Sequence, residues 1–336
     1  MINKQIKTKL AKKKYHWLVT GVAGFIGSNL LEELLLNNQN VTGIDNLSNG
    51  FMHNLNDVKK NVTLKQWKNF KFIKEDICNL DSNNKYLKKI DFTLHQAARG
   101  SVLKSIKDPI KTNKSNVTGF LNILNLSKKI NVKSFVYASS SSIYGDSKVL
   151  PKVETKTGNL LSNYALTKKI NEEYSKLFFT QYGFKTIGLR YFNVFGKRQD
   201  PNGDYAAVIP RWIKKVLKNE TIEIYGDGKT SRDFTPISDV VQANILSATK
   251  NLSKKNYVFN VGNGSKTSLK QLIAKIYLIL KISKSNQKLK YKQFRQGDIR
   301  HSLANINRIK KELNFKKSST FDHSLRLTIG WFLKNK

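Results

Sequence analysis

Short runs of apolar residues alternate with segments of helical periodicity through the first part of the chain. Six runs predict strands, at residues 16–20, 40–45, 70–77, 92–97, 134–139 and 185–193. Helical spacing predicts helices between them, notably at 28–37, 116–130 and 164–182. Because strand–helix–strand units close by right-handed crossovers, the pattern predicts an α/β fold with a doubly wound parallel sheet.

The pattern changes after about Gly196. Residues 198–205 are rich in Asp, Asn, Gly and Pro, which is typical of a loop. Shorter predicted strands then alternate with helices, the strands at 222–225, 257–261 and 289–294 and the helices near 208–217, 238–249 and 269–280. We therefore predict three parts, a basic N-terminal arm or short helix (1–14), a main domain (15–196) and a smaller mixed α/β C-terminal domain (197–336), with segments able to interchange between the last two.

The net charge of the chain is +37, which by itself favours a nucleic-acid partner. Two features oppose that interpretation. Only nine of the 60 basic residues are arginine, the side chain that typically reads bases and phosphates, and the lysines are spread along the chain. We interpret the charge as mostly a solvated surface and predict no nucleic-acid partner.

Cysteine content and hydropathy indicate the compartment. Cys78 is the only cysteine, so no internal disulfide is possible, which fits a reducing cytoplasm. The basic N-terminus and the apolar residues after it resemble a signal peptide, but Glu32 and Glu33 interrupt the apolar run. No run reaches the ~18 apolar residues of a membrane span. We predict a cytoplasmic protein with no membrane span and no metal site.

Three glycines, Gly21, Gly24 and Gly27, lie between the first predicted strand and the first predicted helix. Glycines at such a turn let a pyrophosphate approach the backbone, and the helix N-terminus offers free N–H groups and a positive dipole end. Asp45 closes the second strand, where a carboxylate can accept ribose hydroxyls and would repel a 2′-phosphate. The region therefore predicts a Rossmann-type dinucleotide site that prefers NAD to NADP.

A second group of residues suggests proton transfer. A run of serines at 139–142 ends the fifth predicted strand, and Tyr164 and Lys168 follow four residues apart on one helix face. A phenol has a pKa of ~10, but a nearby ammonium and the positive nicotinamide of NAD⁺ favour the phenolate. Tyrosine can then take a proton from a hydroxyl while hydride leaves the same carbon, with a serine sharing the hydrogen bond. We predict hydride chemistry on an alcohol or ketone.

Together with RYFN at 190–193, these motifs resemble the extended short-chain dehydrogenase/reductase superfamily. Further motifs are similar to those of the UDP-N-acetylglucosamine 4-epimerases of bacterial surface-polysaccharide pathways. They are DNLSNG (45–50), HQAA (95–98) with GSV (100–102), RQDPNG (198–203), TSRDF (230–234) and FRQGDIRHS (294–302). The resemblance runs from about residue 15 to the C-terminus.

The resemblance implies that NAD stays bound and that Tyr164 removes the proton of the sugar 4-hydroxyl. Hydride passes from C4 to the nicotinamide and returns to the other face of the 4-keto sugar. The implied catalytic residues are Ser140, Ser141, Tyr164 and Lys168. The implied cofactor-binding residues are Gly21, Gly24, Phe25, Ile26, Gly27, Asp45, Asn46, Ser48, Gly50, Asp76, Ile77, Gln96, Ala97, Ala98, Asn116, Tyr164, Lys168 and Tyr191.

The resemblance also implies a UDP-sugar site and a homodimer. The implied substrate-binding residues are Gly100, Ser101, Ser140, Ser141, Ser142, Asn193, Gln199, Ala207, Val208, Tyr225, Arg232, Arg295, Asp298 and Ser302. Among these, Asn193, Arg232 and Arg295 would hold the diphosphate and sugar, with Asp298 on the uridine ribose and Tyr225 near uracil. The dimer would form through the predicted helices at 116–130 and 164–182.

Side-chain size indicates the sugar. Ala207 and Ser302 are small where similar UDP-galactose 4-epimerases can carry larger side chains, which leaves room for an N-acetyl group. We therefore predict C4 epimerisation of UDP-N-acetylglucosamine to UDP-N-acetylgalactosamine. Arg99 leaves an alternative open. If it faces the pocket it could bind a carboxylate, as in UDP-N-acetylglucosaminuronate or another uronate, and if it faces solvent it has no such role.

Three other functions share parts of these motifs. A sugar-nucleotide dehydratase needs an acid and a base on the fifth strand, where this chain has Ser141 and Ser142. A reductase that releases an oxidised product would keep the same Tyr164 and Lys168. A nucleic-acid-binding or regulatory protein of this fold is disfavoured by the intact serine, tyrosine and lysine set.

Overall fold

The structure, a computed structural model, describes residues 2, 4–81, 85–202, 206–252, 256–294 and 299–335. Its strands are β1 His16–Thr20, β2 Asn40–Asp45, β3 Phe70–Lys74, β4 Phe92–His95, β5 Ser134–Ser140, β6 Thr186–Tyr191, β7 Val194–Phe195, β8 Ile222–Tyr225, β9 Ser231–Arg232, β10 Thr235–Pro236, β11 Tyr257–Val261, β12 Thr267–Ser268 and β13 Leu289–Lys292. Seven of them form one parallel sheet in the order β11-β6-β5-β4-β1-β2-β3. The predicted α/β class and doubly wound sheet are confirmed.

Helices flank this sheet and fill the C-terminal part of the chain. They are α1 Lys4–Lys12, α2 Phe25–Leu36, α3 Met52–Asn61, α4 Leu64–Trp67, α5 Val102–Lys107, α6 Pro109–Asn113, α7 Gly119–Lys129, α8 Asn163–Tyr182, α9 Val208–Leu217, α10 Ile237–Thr249, α11 Leu269–Ile279, α12 Asn307–Leu313 and α13 Phe321–Lys334. A π-helical turn, Lys114–Thr118, joins α6 to α7. None of the helices in the described part of the chain is both long and apolar enough to cross a membrane.

The central sheet separates two apolar layers, because successive side chains of a strand point to opposite faces. Trp17 and Leu18 of β1 are both fully buried, one in each layer. The first layer includes Leu30 of α2, and the second includes Phe120 of α7. Strands buried on both faces are typical of parallel sheets, which explains the near-continuous apolar runs in the sequence.

A third apolar cluster lies in the C-terminal part of the chain. Trp212 of α9, Ile276 of α11 and Leu325 of α13 are buried in it. The short parallel pair β8 and β13 adds Ile222 and Ile224. The C-terminal part therefore has its own core, although β11, which also belongs to it, pairs with β6 at the edge of the main sheet.

The N-terminal 14 residues, which the sequence predicts to be a basic arm or short helix, contain α1. One face of this helix buries Ile6 and Leu10 in the first layer of the main core. The amide of Gln39 donates to the carbonyl of Leu10 at 3.0 Å, and the Lys9 ammonium donates to the carbonyl of Thr249 at the end of α10. The lysines of α1 therefore lie on a helix that packs on the core.

Several element ends differ from the prediction by a few residues. Helix α2 begins at Phe25 rather than residue 28, because the turn before it needs only Gly21 to Gly24. Strand β3 ends at Lys74 rather than at residue 77. Asp76 makes a turn there, its Oδ1 accepting from the backbone N–H of Cys78 at 2.9 Å. Turn chemistry of this kind competes with strand pairing and is easily missed in a short apolar run.

Candidate active site

The glycine turn connects β1 to α2 under strict steric limits. Gly21 has a φ of +68°, and a Cβ there would lie 2.8 Å from the backbone nitrogen of Ala97. A Cβ at Gly27 would lie 2.0 Å from the carbonyl oxygen of Gly21. Only glycine fits these positions, so the first turn of α2 packs directly on the strand end. Its free N–H groups and positive dipole end are suited to a phosphate.

Asp45 is buried beside this turn, at the end of β2. Its Oδ2 accepts from the N–H of Ala23 at 3.0 Å, and its Oδ1 accepts from the N–H of Leu47 at 2.8 Å. Burial raises the pKa of Asp45, and the two backbone donors partly offset that rise. Asp45 therefore holds the glycine turn against β2 while it lines the cavity above.

That cavity, called the first cavity below, encloses about 520 Å³ at the carboxyl ends of the central strands. Predicted residues that line it are Gly21, Gly24, Phe25, Ile26, Gly27, Asp45, Asn46, Ser48, Gly50, Asp76, Ile77, Gln96, Ala97, Ala98, Gly100, Ser140, Ser141, Tyr164, Lys168, Tyr191, Asn193, Gln199 and Ala207. Six further lining residues were not predicted, namely Asn49, Glu75, Ser115, Ala138, Ser139 and Val194. A cavity over a helix N-terminus that follows a glycine turn, with a carboxylate at the end of the second strand, fits an NAD molecule.

Tyr164 and Lys168 enter the first cavity from α8, opposite the end of β5. The Lys168 ammonium donates to the carbonyl of Ala138 at 2.8 Å and lies 5.9 Å from the centre of the Tyr164 ring. Burial lowers the pKa of Lys168 to about 8. Burial also raises the pKa of Tyr164, and the hydroxyl of Ser140 offsets that rise in part. The sequence predicted that the ammonium of Lys168 would favour the phenolate. In the protein alone, burial has the larger effect on the pKa of Tyr164.

A buried polar network fixes α8 against the sheet. The Ser139 hydroxyl donates to Glu172 Oε1 at 2.6 Å. Arg190 of β6 donates to the same carboxylate twice, from Nε at 2.9 Å and from Nη2 at 2.7 Å. Because Glu172 lies two helical turns after Tyr164, this network sets the register of α8 and so the position of Tyr164. Sequence reasoning missed Glu172, although its four-residue spacing from Lys168 places it on the same helix face.

Three side chains form a closed ring of hydrogen bonds beside the first cavity. The Tyr191 hydroxyl donates to Gln96 Oε1 at 3.0 Å and accepts from Asn244 Nδ2 at 2.8 Å. Gln96 Nε2 completes the ring by donating to Asn244 Oδ1 at 3.0 Å. Burial raises the pKa of Tyr191, so this phenol stays protonated, and its hydroxyl is already engaged on both sides by Gln96 and Asn244. Asn244, on α10, was not predicted.

A second cavity of about 270 Å³ continues from the first. The two share Asn193, Val194 and Ala207. Predicted substrate residues that line the second cavity are Asn193, Ala207, Val208, Tyr225 and Arg232. Unpredicted residues there include Arg211 and Glu223. The arrangement suits one extended ligand that reaches from Tyr164 to Arg232.

Some predicted site residues do not line either cavity. They are Asn116, Ser101, Ser142 and Ser302. Asn116 is buried, and its side-chain amide forms hydrogen bonds with the backbone of Arg99 and with the hydroxyl of Thr167. Ser101 caps α5 through the N–H of Lys104. Arg295 and Asp298 lie outside the described residues.

Arg99 takes a position that the sequence did not anticipate. Its side chain is 15% exposed and pairs with Asp108, Nη1 to Oδ2, at 3.3 Å. It does not line the two cavities, although Ala98 and Gly100 on either side line the first. Arg99 therefore faces neither the pocket nor open solvent, and its positive charge is paired with a carboxylate of this chain.

The sheet, the glycine turn and the Ser140, Tyr164 and Lys168 cluster define an NAD-binding enzyme of the short-chain dehydrogenase/reductase type. Residues 17–262 match the model of the NAD dependent epimerase/dehydratase family. The chain belongs to this family. The predicted resemblance and the predicted NAD cofactor are thereby confirmed.

Individual relatives cover almost the whole chain. A UDP-glucuronate 4-epimerase from Thermodesulfobacterium geofontis is 35% identical and aligns over 95% of this chain and 97% of its own. A UDP-N-acetylglucosamine 4-epimerase from Methanobrevibacter ruminantium M1, solved in complex with UDP-N-acetylmuramic acid, is 38% identical with a TM-score of 0.88, covering 96% of this chain and 100% of its own. A UDP-glucuronic acid 4-epimerase from Bacillus cereus, solved with UDP-glucuronic acid and NAD, is 27% identical with a TM-score of 0.85, covering 96% of this chain and 100% of its own.

Proposed function

We propose that the protein is a UDP-sugar 4-epimerase that interconverts UDP-N-acetylglucosamine and UDP-N-acetylgalactosamine. The observation that carries the proposal is the junction of the two cavities. Tyr164 and Ser140 line the first, Arg232 lines the second, and Asn193 and Ala207 line both. A nucleotide in the second cavity can therefore present its sugar to the hydroxyl groups of the first.

Proton transfer falls to Tyr164. NAD, when bound, supplies the acceptor and donor of hydride for C4 of the sugar. Tyr164 takes the proton of the 4-hydroxyl and later returns it to the oxygen, while the Ser140 hydroxyl holds that oxygen by a hydrogen bond. Because burial raises the pKa of Tyr164, additional positive charge is needed for it to act as a base, and the ammonium of Lys168 contributes such charge from inside the cavity.

Arg232 is the proposed anchor of the diphosphate. Its Nη1 already donates to the carbonyls of Ser231 at 3.1 Å and Arg300 at 3.3 Å, which orients the planar guanidinium. A guanidinium offers a fork of donors that matches phosphate oxygens. Holding the substrate by its diphosphate leaves the sugar free to turn, as a 4-epimerase requires.

The charge and size of the lining support a neutral 2-acetamido sugar. Lys168 is the only cation among the described residues that line the first cavity, and its ammonium is bonded to Ala138. Arg99, which could have received a sugar carboxylate, is paired with Asp108. Ala207 presents only a methyl group where the cavities meet, which leaves room for an acetamido group.

A uronate is the second candidate. It is supported by the relatives that are UDP-glucuronate 4-epimerases, and by the hydroxyl groups of Ser140 and Ser141, which can donate to a carboxylate without a cation. In this second candidate function, the substrate would be UDP-N-acetylglucosaminuronate or UDP-glucuronate.

Proton NMR of the purified protein without added NAD tests the proposal. UDP-N-acetylglucosamine should give the anomeric signal of the galacto-configured product, and the C6-carboxylate analogue should react much more slowly. Conversion of only the acidic sugar would move the function to uronate epimerisation. Failure of both sugars to react would contradict a UDP-N-acetylhexosamine 4-epimerase.

We also propose a homodimer built on α8 and the helices before it. Leu166 and Leu177 of α8 are about half exposed, and Ile106 and Ile110 of the neighbouring α5 and α6 are more exposed still. Apolar side chains exposed on adjoining helices are typical of an interface. Light scattering coupled to size-exclusion chromatography should give a mass of two chains, and a monomer at micromolar concentration would contradict the dimer.

A further inference from the structure

Asp233 is a fully buried carboxyl group that neither cavity includes. It directly follows Arg232 in the sequence. Its Oδ1 accepts from the backbone N–H of Asn263 at 2.7 Å. Its Oδ2 accepts from the N–H groups of Gly264 and Ala304, each at 3.0 Å. One side chain therefore holds two separate segments of backbone.

The two segments belong to different parts of the molecule. Asn263 and Gly264 follow β11, the edge strand of the main sheet, whereas Ala304 lies about 40 residues later, in the segment 300–304. A Cβ at Gly262 would lie 2.6 Å from the Cβ of Ala304 and 2.9 Å from Asp233 Oδ2, so the packing at this junction is tight. Asp233 thus joins the segment 300–304 to the sheet that carries the first cavity.

The same segment orients Arg232. The carbonyl of Arg300 accepts from the guanidinium of Arg232 and, at 3.0 Å, from the N–H of Ser231. The N–H of Ser302 donates to the carbonyl of Ser231 at 3.1 Å. A shift of the segment 300–304 would therefore move the guanidinium that lines the second cavity.

We propose that Asp233 is a positioning residue that fixes Arg232 and the segment 300–304 against the main sheet for binding of the nucleotide diphosphate. Asp233 acts through these groups and does not touch the ligand itself. The inference rests on the proposed function in one respect, that the diphosphate of a UDP-sugar is the ligand of Arg232.

The charge state of Asp233 gives a way to follow this role. Burial raises its pKa to about 6, while the three backbone donors and the ammonium of Lys317 hold the rise down. Two other polar side chains of the neighbouring segments have partners other than Asp233. Lys152 donates to the carbonyl of Ser147, and the ring of His301 pairs with the hydroxyl of Ser231.

Above pH 6 the carboxylate can accept all three N–H groups. Once protonated, one of its oxygens becomes a donor, and at least one of these bonds is lost. Ionisation of Asp233 itself opposes folding. A carboxyl group whose pKa is raised in the folded state stabilises the fold below its ordinary pKa, and this stabilisation is lost as the pH rises through about 6. The charge that organises the binding site therefore carries a stability cost.

Asp233→Asn tests the inference, with Asp239→Asn as the matched control. Asp239 is also buried, its Oδ1 accepts from the N–H of Ser318 at 2.6 Å, and it does not line either cavity. Calorimetric titration with UDP-N-acetylglucosamine is the main measurement, since its diphosphate has no second ionisation near pH 6. The bound NAD per chain and kcat are measured on the same samples.

We expect Asp233→Asn to raise the Kd and KM of this substrate about tenfold at pH 7.5, the equivalent of one lost hydrogen bond to a charged group. Its kcat and its NAD content should stay within about twofold of the wild type. The substitution displaces the segment 300–304 but leaves Tyr164 in place. The wild-type Kd should rise as the pH falls from 7.5 to 5.5, and the Kd of the variant should not.

An unchanged Kd in Asp233→Asn, an equal rise in Asp239→Asn, or a joint loss of affinity, kcat and NAD would each overturn the inference. Failure of the proposed function has a different signature. Substrate that binds with the expected dependence on Asp233 but is not epimerised would leave the inference standing and contradict the epimerase. A wild type that binds no UDP-sugar at all would contradict both.

Discussion

At the residue scale, Tyr164 combines two opposed requirements. A site that excludes water strengthens every interaction with the reacting atoms. The same burial raises the pKa of the Tyr164 phenol, which opposes the loss of its proton. The hydroxyl of Ser140 acts against the rise, and the ammonium of Lys168 lies 5.9 Å from the centre of the ring. The Ser140, Tyr164 and Lys168 cluster is therefore best treated as one unit.

Tyr164→Phe should lower kcat by about 10²–10⁴-fold, because it removes the proposed general base and leaves the shape of the cavity intact. NAD content should not change. Tyr137→Phe is the matched control, since Tyr137 is a fully buried tyrosine of β5 that does not line the cavities. Full activity in Tyr164→Phe, or an equal loss in the control, would contradict the assigned base.

The pH dependence of activity should report Lys168. Because burial lowers its pKa to about 8, its positive charge is lost as the pH rises through that value, and kcat should decline above pH 8. Titration of Lys168 would not itself destabilise the fold over this range. The unfolded lysine keeps its proton to about pH 10.5, so the Lys168 contribution to the free energy of unfolding rises with pH over this range. A kcat that stays level to pH 10 would show that this charge is not needed.

At the scale of elements, the sequence predicted what depends on local pattern. Gly21 and Gly27 could be predicted as parts of the turn because only glycine fits sterically at these positions. Tyr164 and Lys168 were found because helical spacing places them on one face. Contacts between distant segments have no such signal. Asn116 was assigned to the cofactor by resemblance, yet its side-chain amide is hydrogen-bonded to the backbone of Arg99. Its role at the cofactor stays a prediction.

The same limit explains Arg99 and Asn244. From the sequence, Arg99 had two alternatives, pocket or solvent. Its pairing with Asp108 depends on how α5 and α6 fold back beside it. Asn244 reaches Tyr191 and Gln96 from a helix about 50 residues beyond β6. It is one of several polar residues of α10, and the sequence does not show which of them has a partner on the sheet.

Helix α8 should depend on its buried ion pair. Glu172→Gln leaves the Arg190 guanidinium buried with a neutral partner, which should lower the free energy of unfolding by about 3–5 kcal/mol. Glu173→Gln is the control, because the pair of Glu173 with Lys169 on the same helix is largely exposed and should contribute less than about 1 kcal/mol. Urea denaturation of both variants measures the difference. Equal effects would show that the buried network does not anchor α8.

At the scale of the whole molecule, the N-terminal segment belongs to the main core. Leu10→Ala should lower the free energy of unfolding by about 2–5 kcal/mol, because it leaves a cavity where α1 packs on the first layer of the main core. Leu327→Ala, at an exposed position of α13, should change it by less than about 0.5 kcal/mol. Thermal or urea unfolding measures both. A Leu10 variant as stable as the wild type would mean that α1 is dispensable for the fold.

The position of β11 has a consequence for synthesis on the ribosome. Strand β6 is buried along its whole length, and its outer edge pairs only with β11, which begins at Tyr257. Until that strand has left the ribosome, the nascent sheet presents an unpaired apolar edge of the kind that recruits other chains. Chains truncated between β6 and β11 should therefore aggregate, and a fragment ending near residue 196 should not serve as an independent cofactor-binding unit. The main sheet can be complete only when more than three quarters of the chain has been made.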